Sequence, residues 1–305
     1  MKLPAAILFF TVILSFPAIA SEAVQIKVGA LERSFLLHLP EGHSAERDDL
    51  YPVVINFHGG GGNAEAMERM SGMNQLADRE GFIVVYPNGT GRLRNRLTFN
   101  GGECCGYAEQ AGIDDVGFVG AILDELEAKY GSDPKRVYLT GLSNGGIVSH
   151  HVAAKLAGRI TAIAPVGGTL EMGAISPSRP VPVMHIHGTA DLFLPEKGGF
   201  GVRRTNEFRS VDHTLRTWIT ANNAGIVPTV ENLPDSAEDG CTVERITYPA
   251  REDGMSAEVI YIRIKNGGHT WPGSENSPTM LGKGCRDIDA NELMWEFFQR
   301  HSLDG

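Results

Sequence analysis

The sequence predicts an α/β protein in which a mostly parallel, doubly wound sheet forms a single domain. Three observations carry this. Short apolar runs alternate with stretches of helical spacing, as strands and crossover helices do. The apolar runs stop in glycine-rich or proline-containing turns. No internal repeat, low-complexity run or inter-domain linker interrupts residues 21–305, so one domain is expected there.

The elements follow in order. Val24 to Leu39 reads as two short strands around a Gly29-Ala30 turn. Pro52 to Phe57 is a buried strand that ends in the loop His58-Gly59-Gly60-Gly61-Gly62-Asn63. One helix is expected near Ala66–Arg79, then a strand over Phe82–Tyr86 stopped by Pro87-Asn88-Gly89. Residues 88–113 form a long connection, and long loops in compact domains are usually functional or pinned. From Asp115 to Tyr130, Val116, Val119, Ile122, Leu123 and Leu126 share one helical face. Strands at 137–140, 162–166, 181–186, 243–248 and 258–264 and helices at 143–156, 211–221 and 290–301 complete the reading.

The first residues carry a different signal. Met1-Lys2-Leu3 is followed by an apolar run from Ala5 to Phe16, Pro17, and the small-x-small site Ala18-Ile19-Ala20. This is the pattern of a secretory signal peptide over 1–20 with cleavage expected after Ala20, and it predicts a secreted or periplasmic protein with no membrane partner after cleavage. Net charge is -10, from 27 Lys and Arg against 37 Asp and Glu, which disfavours nucleic acid as a partner. Export makes disulfides the expected state of Cys104, Cys105, Cys241 and Cys285. A link between the adjacent Cys104 and Cys105 needs a strained ring. Each is therefore expected to reach a distant partner, one Cys241 and the other Cys285. A zinc site is disfavoured, because adjacent cysteines chelate a tetrahedral ion poorly.

The chemistry centres on Gly141-Leu142-Ser143-Asn144-Gly145, a G-x-S-x-G run placed between a strand and a helix. In that context the serine sits on a sharp, strained turn that lifts its hydroxyl above the sheet, the nucleophile elbow of the α/β-hydrolase fold. Ser143 is thus the expected nucleophile. The acid and the base should follow it in chain order. Asp191, in the turn after the strand at 181–186, is the expected acid, with Asp212 its main competitor. His269, in the Asn266-Gly267-Gly268-His269 loop after the strand at 258–264, is the expected base. His58 and His187 sit in strand-end turns, where a histidine commonly supports a loop. Oxyanion donors are expected from the N–H of Asn144 and from Gly59 or Gly60. The glycine loop does not complete a phosphate-binding motif. The triad chemistry needs neither metal nor cofactor.

The motifs Gly141-Leu142-Ser143-Asn144-Gly145-Gly146, His58 to Asn63, Cys104-Cys105-Gly106, Asp114-Asp115-Val116-Gly117-Phe118, His187-Gly188-Thr189-Ala190-Asp191 and Gly268-His269-Thr270-Trp271-Pro272-Gly273 together resemble the polyhydroxybutyrate-depolymerase-like esterase family, which also holds feruloyl esterases. The resemblance spans about residues 25 to 300. It implies the triad roles named above, and it suggests that Trp271 lines the substrate cleft. The implied partner is a small-molecule or polymer-borne ester. No linker and polymer-binding module follows the last helix. Feruloyl or related plant cell-wall esters are therefore expected ahead of polyhydroxybutyrate polyester or its oligomers, and either ahead of peptide hydrolysis or non-catalytic binding. Arg92, Arg94 and Arg96 in the long connection read as a solvated edge, with an acidic substrate as the sharper alternative.

Overall fold

The structure is a computed structural model that describes residues 21–303 other than 48, 94, 205 and 253; the expected signal peptide lies outside the described residues. A ten-stranded sheet forms the centre. Its strands are β1 (Glu22–Val28), β2 (Leu31–His38), β3 (Tyr51–Phe57), β4 (Ile83–Pro87), β5 (Ser132–Leu142), β6 (Ala162–Val166), β7 (Val183–Gly188), β10 (Thr229–Asn232), β11 (Thr242–Tyr248) and β12 (Val259–Lys265). They lie in the order β1-β2-β4-β3-β5-β6-β7-β12-β11-β10. From β4 to β12 neighbours pair in parallel, and antiparallel strands close both edges. The small hairpin β8 (Gly199–Phe200) and β9 (Glu207–Phe208) stands apart from this sheet.

Alternation along the central strands explains why they read as continuous apolar runs. Val53, Ile55 and Phe57 of β3 enter one core and Val54 the other, while Val259 and Tyr261 of β12 oppose Ile260, Ile262 and Ile264. A strand buried on both faces needs apolar residues at every position. Helices α4 (Asp115–Lys129), α5 (Asn144–Lys155) and α6 (Val211–Ala221) cover the first face through Phe118, Val148 and Trp218. Helices α1 (Ala64–Ser71), α2 (Met73–Glu80) and α7 (Ala290–Phe298) cover the second through Met67, Leu76 and Phe298. The result is the doubly wound α/β-hydrolase arrangement in one domain.

The helix expected over 66–79 is two helices. Gly72 adopts a left-handed conformation (φ 59°) and its N–H donates to the Glu68 carbonyl at 2.9 Å, which caps α1 before α2 begins. A glycine inside a helical pattern ended the helix here because it takes that conformation at little cost. In α4 the Asp114 side chain accepts from the Gly117 N–H at 2.7 Å and fixes the N-terminus.

The long connection is pinned. Thr90 and Thr98 exchange backbone hydrogen bonds, and Leu97 does the same with the glycine loop through Gly61 and Gly62. Asp115 holds Arg33 at 2.7 Å through one oxygen and the Asn100 N–H at 2.7 Å through the other. A short helix, α3 (Gly106–Gln110), follows the cysteine pair.

The cysteine pairing corrects the expectation. Cys104 bonds its neighbour Cys105, and Cys241 bonds Cys285 with Cα atoms 5.9 Å apart. Sheet order gives the reason. Cys104 packs on Ile147 of α5, above β5, whereas Cys241 immediately precedes β11. Four strand spacings separate β5 from β11, about 19 Å at 4.8 Å per step, too far for either cross-link. Asp239 and Asp287 flank Cys241 and Cys285, but thiols joined in a disulfide are not free to ligate a metal.

Candidate active site

Ser143 occupies the turn between β5 and α5 with φ 60° and ψ -122°, a left-handed backbone that a side-chain-bearing residue adopts only under constraint. The constraint is close packing around it. A Cβ on Gly141 would lie 2.6 Å from the Phe57 carbonyl, and one on Gly145 would strike the same atom. The Ser143 N–H donates to the Val166 carbonyl at 2.9 Å. These contacts explain the glycines on both sides of the serine: any side chain there would push the elbow off β3.

Asp191 and His269 come together because β7 and β12 are parallel neighbours. Both residues lie in loops just past the C-terminal ends of those strands. Their loops are laced together by Ala190 N–H to Gly267 O at 2.9 Å and Thr189 N–H to Ile264 O at 2.9 Å. His269 Nδ1–H donates to Asp191 Oδ2 at 2.6 Å. The other carboxylate oxygen accepts from the N–H groups of Phe193 (2.7 Å) and Leu194 (2.9 Å). Burial alone would raise the Asp191 pKa. The hydrogen bond and charge of His269, with His187 and the Leu194 N–H, outweigh it and hold the carboxyl below its usual range. Asp191 is therefore an anion that fixes the tautomer of His269, leaving Nε2 free to take a proton.

Ser143 and His269 line the same cleft lobe. Among the described residues no hydrogen bond joins the two side chains. Contacts of this kind tighten when substrate is bound. The glycine pair Gly167-Gly168, at the end of β6, makes the approach possible. A Cβ on Gly167 would come within 3.1 Å of His269 Nδ1, and one on Gly168 would strike the Ser143 carbonyl. The pair's signal in the sequence was two glycines directly after a buried apolar strand.

The oxyanion candidates also converge. The Asn144 N–H is at the first position of α5, one of the donors a helix leaves unpaired. A Cβ on Gly59 would lie 3.5 Å from Ser143 Cβ, and one on Gly60 the same distance from Asn144 Cβ, so the glycine loop abuts the elbow. In that loop the Gly61 N–H donates to Leu97 O and the Gly62 N–H to Gly59 O. The Gly59 and Gly60 N–H groups have no backbone acceptor among the described residues. His58 supports this arrangement, as its strand-end position suggested. Its Nε2 accepts from the Gly89 N–H at 3.0 Å, so Nδ1 carries the proton and donates to the Gly59 carbonyl at 2.8 Å. Because the peptide is planar and trans, anchoring that carbonyl turns the Gly60 N–H the opposite way. Burial pushes the His58 pKa down to about 4, which keeps it neutral. The Asn144 side chain is engaged separately, bonding both the N–H (2.7 Å) and the carbonyl (2.9 Å) of Phe99.

Trp271 does not line the cleft. It is 1% exposed in the second core and donates from Nε1 to Asn291 Oδ1 at 3.1 Å, because the chain after His269 turns back toward α7. The cleft's apolar walls are Met67, Met70, Leu281 and Phe193 on one side and Ile147, Leu194 and Phe208 on the other. Asp212, the competing acid, pairs with Arg216 at 2.8 Å on the exposed face of α6. Arg92 lines a separate surface cavity beside Ser34 and Asn88, Arg96 is exposed, and Arg94 lies outside the described residues.

The family model described as esterase PHB depolymerase matches residues 33–191. NocK, a protein named as an esterase in Nocardia uniformis subsp. tsuyamanensis, is 28% identical over 291 residues, 90% of this chain and 81% of that one. Feruloyl esterase C of Emericella nidulans is 26% identical over 272 residues, covering 87% of this chain and 83% of its own. A bifunctional acetylxylan esterase/xylanase of Neocallimastix patriciarum is 35% identical over 143 residues, 47% of this chain and 20% of that protein. Among solved structures, the acetyl xylan esterase from Aspergillus awamori superposes with a TM-score of 0.57 at 15% identity, over 82% of this chain and 94% of its own, a likeness of fold.

Proposed function

From the premise that the chain belongs to the esterase PHB depolymerase family and is a carboxylic ester hydrolase, we propose that it is a secreted serine esterase acting through an acyl-enzyme on feruloyl or related plant cell-wall esters. The observation that carries the triad is the 2.6 Å bond from His269 to Asp191 in the cleft that holds Ser143.

In this reading His269 Nε2 accepts the Ser143 proton as Oγ attacks the ester carbonyl. Asp191 stabilises the imidazolium that forms. The N–H of Asn144 and that of Gly59 or Gly60 bind the oxyanion. His269 returns the proton to the leaving alcohol. Water then enters and attacks the acyl carbon as it gives a proton to His269, and His269 returns that proton to Ser143 Oγ as the acyl–oxygen bond breaks and the acid leaves. Two lobes of about 180 and 250 Å³ meet at Ser143 and offer separate room for the acyl and alcohol parts.

The substrate reading leans on relatives. Feruloyl esterase C and the acetylxylan esterase/xylanase carry plant cell-wall ester activities in their names. The family model's own description supports the second reading, a polyhydroxybutyrate polyester or oligomer. Secretion rests on the leader at 1–20; among the described residues no helix is long and apolar enough to cross a membrane. A turnover panel of methyl ferulate, acetylated xylan and hydroxybutyrate oligomers separates the readings. Preference for the first two is expected. Turnover confined to the oligomers would move the assignment to polyester.

A further inference from the structure

The two lobes that meet at Ser143 are walled by apolar side chains and glycine backbone, and no carboxylate lines either one among the described residues. Their permanently charged side chains are Arg203, shared by both lobes, and Arg204, in the second. Two other arginines, outside the lobes, are neutralised: Arg209 pairs with Glu103 at 2.7 Å and Arg263 with Glu196 at 2.7 Å. Among the described residues Arg203 has no carboxylate partner.

Arg203 is exposed to solvent and stands beside the reacting groups. Its guanidinium lies 5.4 Å from the centroid of the Phe193 ring. That ring stacks on the His269 imidazole, with centroids 5.2 Å apart and planes 23° apart. Contact with an aromatic face occupies none of the guanidinium's N–H donors, which stay available in a fork that matches a carboxylate. The chain as a whole carries -10, so its net field disfavours anions and a local cation has to supply the attraction at the cleft.

We propose that Arg203 binds a carboxylate borne by the substrate a few carbon atoms from the scissile carbonyl, so that of two esters otherwise matched in size and leaving group the site favours the one carrying a free acid group. The assignment rests on the reading of Ser143 as nucleophile and extends it to a substrate class. Because Arg203 faces both lobes, the acid group can sit on the acyl or on the alcohol arm. Arg204 adds to the local field in the second lobe.

The test uses the full chain and two matched pairs. For the acyl arm, p-nitrophenyl hemiadipate is compared with p-nitrophenyl heptanoate; for the alcohol arm, 5-acetoxypentanoate with hexyl acetate. The readout is the anionic-to-neutral ratio of kcat/KM in the parent protein, Arg203→Gln and Arg203→Lys. In at least one pair the ratio is expected to fall about tenfold in Arg203→Gln, as for loss of one charge-assisted contact, with Arg203→Lys in between. The same ratio should shrink as salt rises from about 20 mM to about 500 mM. An unchanged ratio in both pairs, with both neutral esters still turned over, would overturn the Arg203 assignment alone. No turnover of any ester by the folded parent protein would overturn the Ser143 reading and this one with it.

Discussion

His269 Nδ1 stands 2.6 Å from Asp191 Oδ2, although 78 residues separate them along the chain. The second Asp191 oxygen is saturated by two backbone N–H groups, so the carboxylate can neither rotate away nor gain a proton easily. Asp191→Asn keeps the shape and removes the charge that holds the tautomer. We expect kcat on p-nitrophenyl acetate to fall by about 10³–10⁴. Asp212→Asn, on the far surface pair with Arg216, should leave kcat where it was. A comparable loss in both variants would contradict this division.

His58 predicts how stability depends on pH. Its folded pKa is lowered to about 4 by burial, and that of the equally buried His150 to about 3. Between those values and the unfolded value of about 6.5, the unfolded chain binds more protons than the folded one. Stability is then complete above pH 6.5 and is lost as pH falls toward 4. His58 alone contributes a loss of about 2 kcal/mol at pH 5. Urea midpoints measured at pH 7.5 and pH 5 should show the drop, and His58→Asn should shrink it by about 2 kcal/mol, leaving the His150 share. An equal drop in that variant would count against a neutral, buried His58.

The same residue should matter for turnover. His58 anchors the Gly59 carbonyl and so aims the neighbouring N–H. His58→Asn is expected to lower kcat by about tenfold or more while KM changes less, because a misaimed oxyanion donor acts on the transition state. A loss confined to KM would place His58 in substrate binding instead.

Cys241–Cys285 closes a loop of 44 residues at the edge where β11 meets the loop after His269. Loop-closure entropy gives this bridge about 4 kcal/mol. The Cys241→Ser, Cys285→Ser double variant should unfold at lower temperature and lose activity early, since Lys283 and Leu281 receive the backbone N–H groups of Gly268 and His269. Calorimetry with a parallel activity assay measures both. Unchanged thermal unfolding would contradict the stabilising role.

Much of this was legible in the sequence because it rests on local chemistry. The elbow around Ser143 announces itself through glycines on both sides of the serine, between a strand and a helix. Asp191 and His269 follow in the order this fold imposes, each just beyond an apolar strand. What was not legible depends on distance or direction. The cysteine pairing follows from the position of β11 four strands from β5, which no spacing in the chain reveals. Trp271 neighbours the base in sequence, yet its side chain points into the core, and sequence proximity says nothing about that direction. The strand β10 carries four exposed residues, so no apolar pattern marked it. Arg203 sits in a polar connection where a charged residue is unremarkable until the cleft is seen.

The most direct test of the central claim is site mapping with a fluorophosphonate by peptide mass spectrometry, alongside residual esterase activity. One adduct on Ser143, rising in proportion to lost activity and absent from Ser143→Ala, is the expected result. Stoichiometric inactivation with the adduct on another residue, or ester turnover by Ser143→Ala near that of the parent, would contradict it.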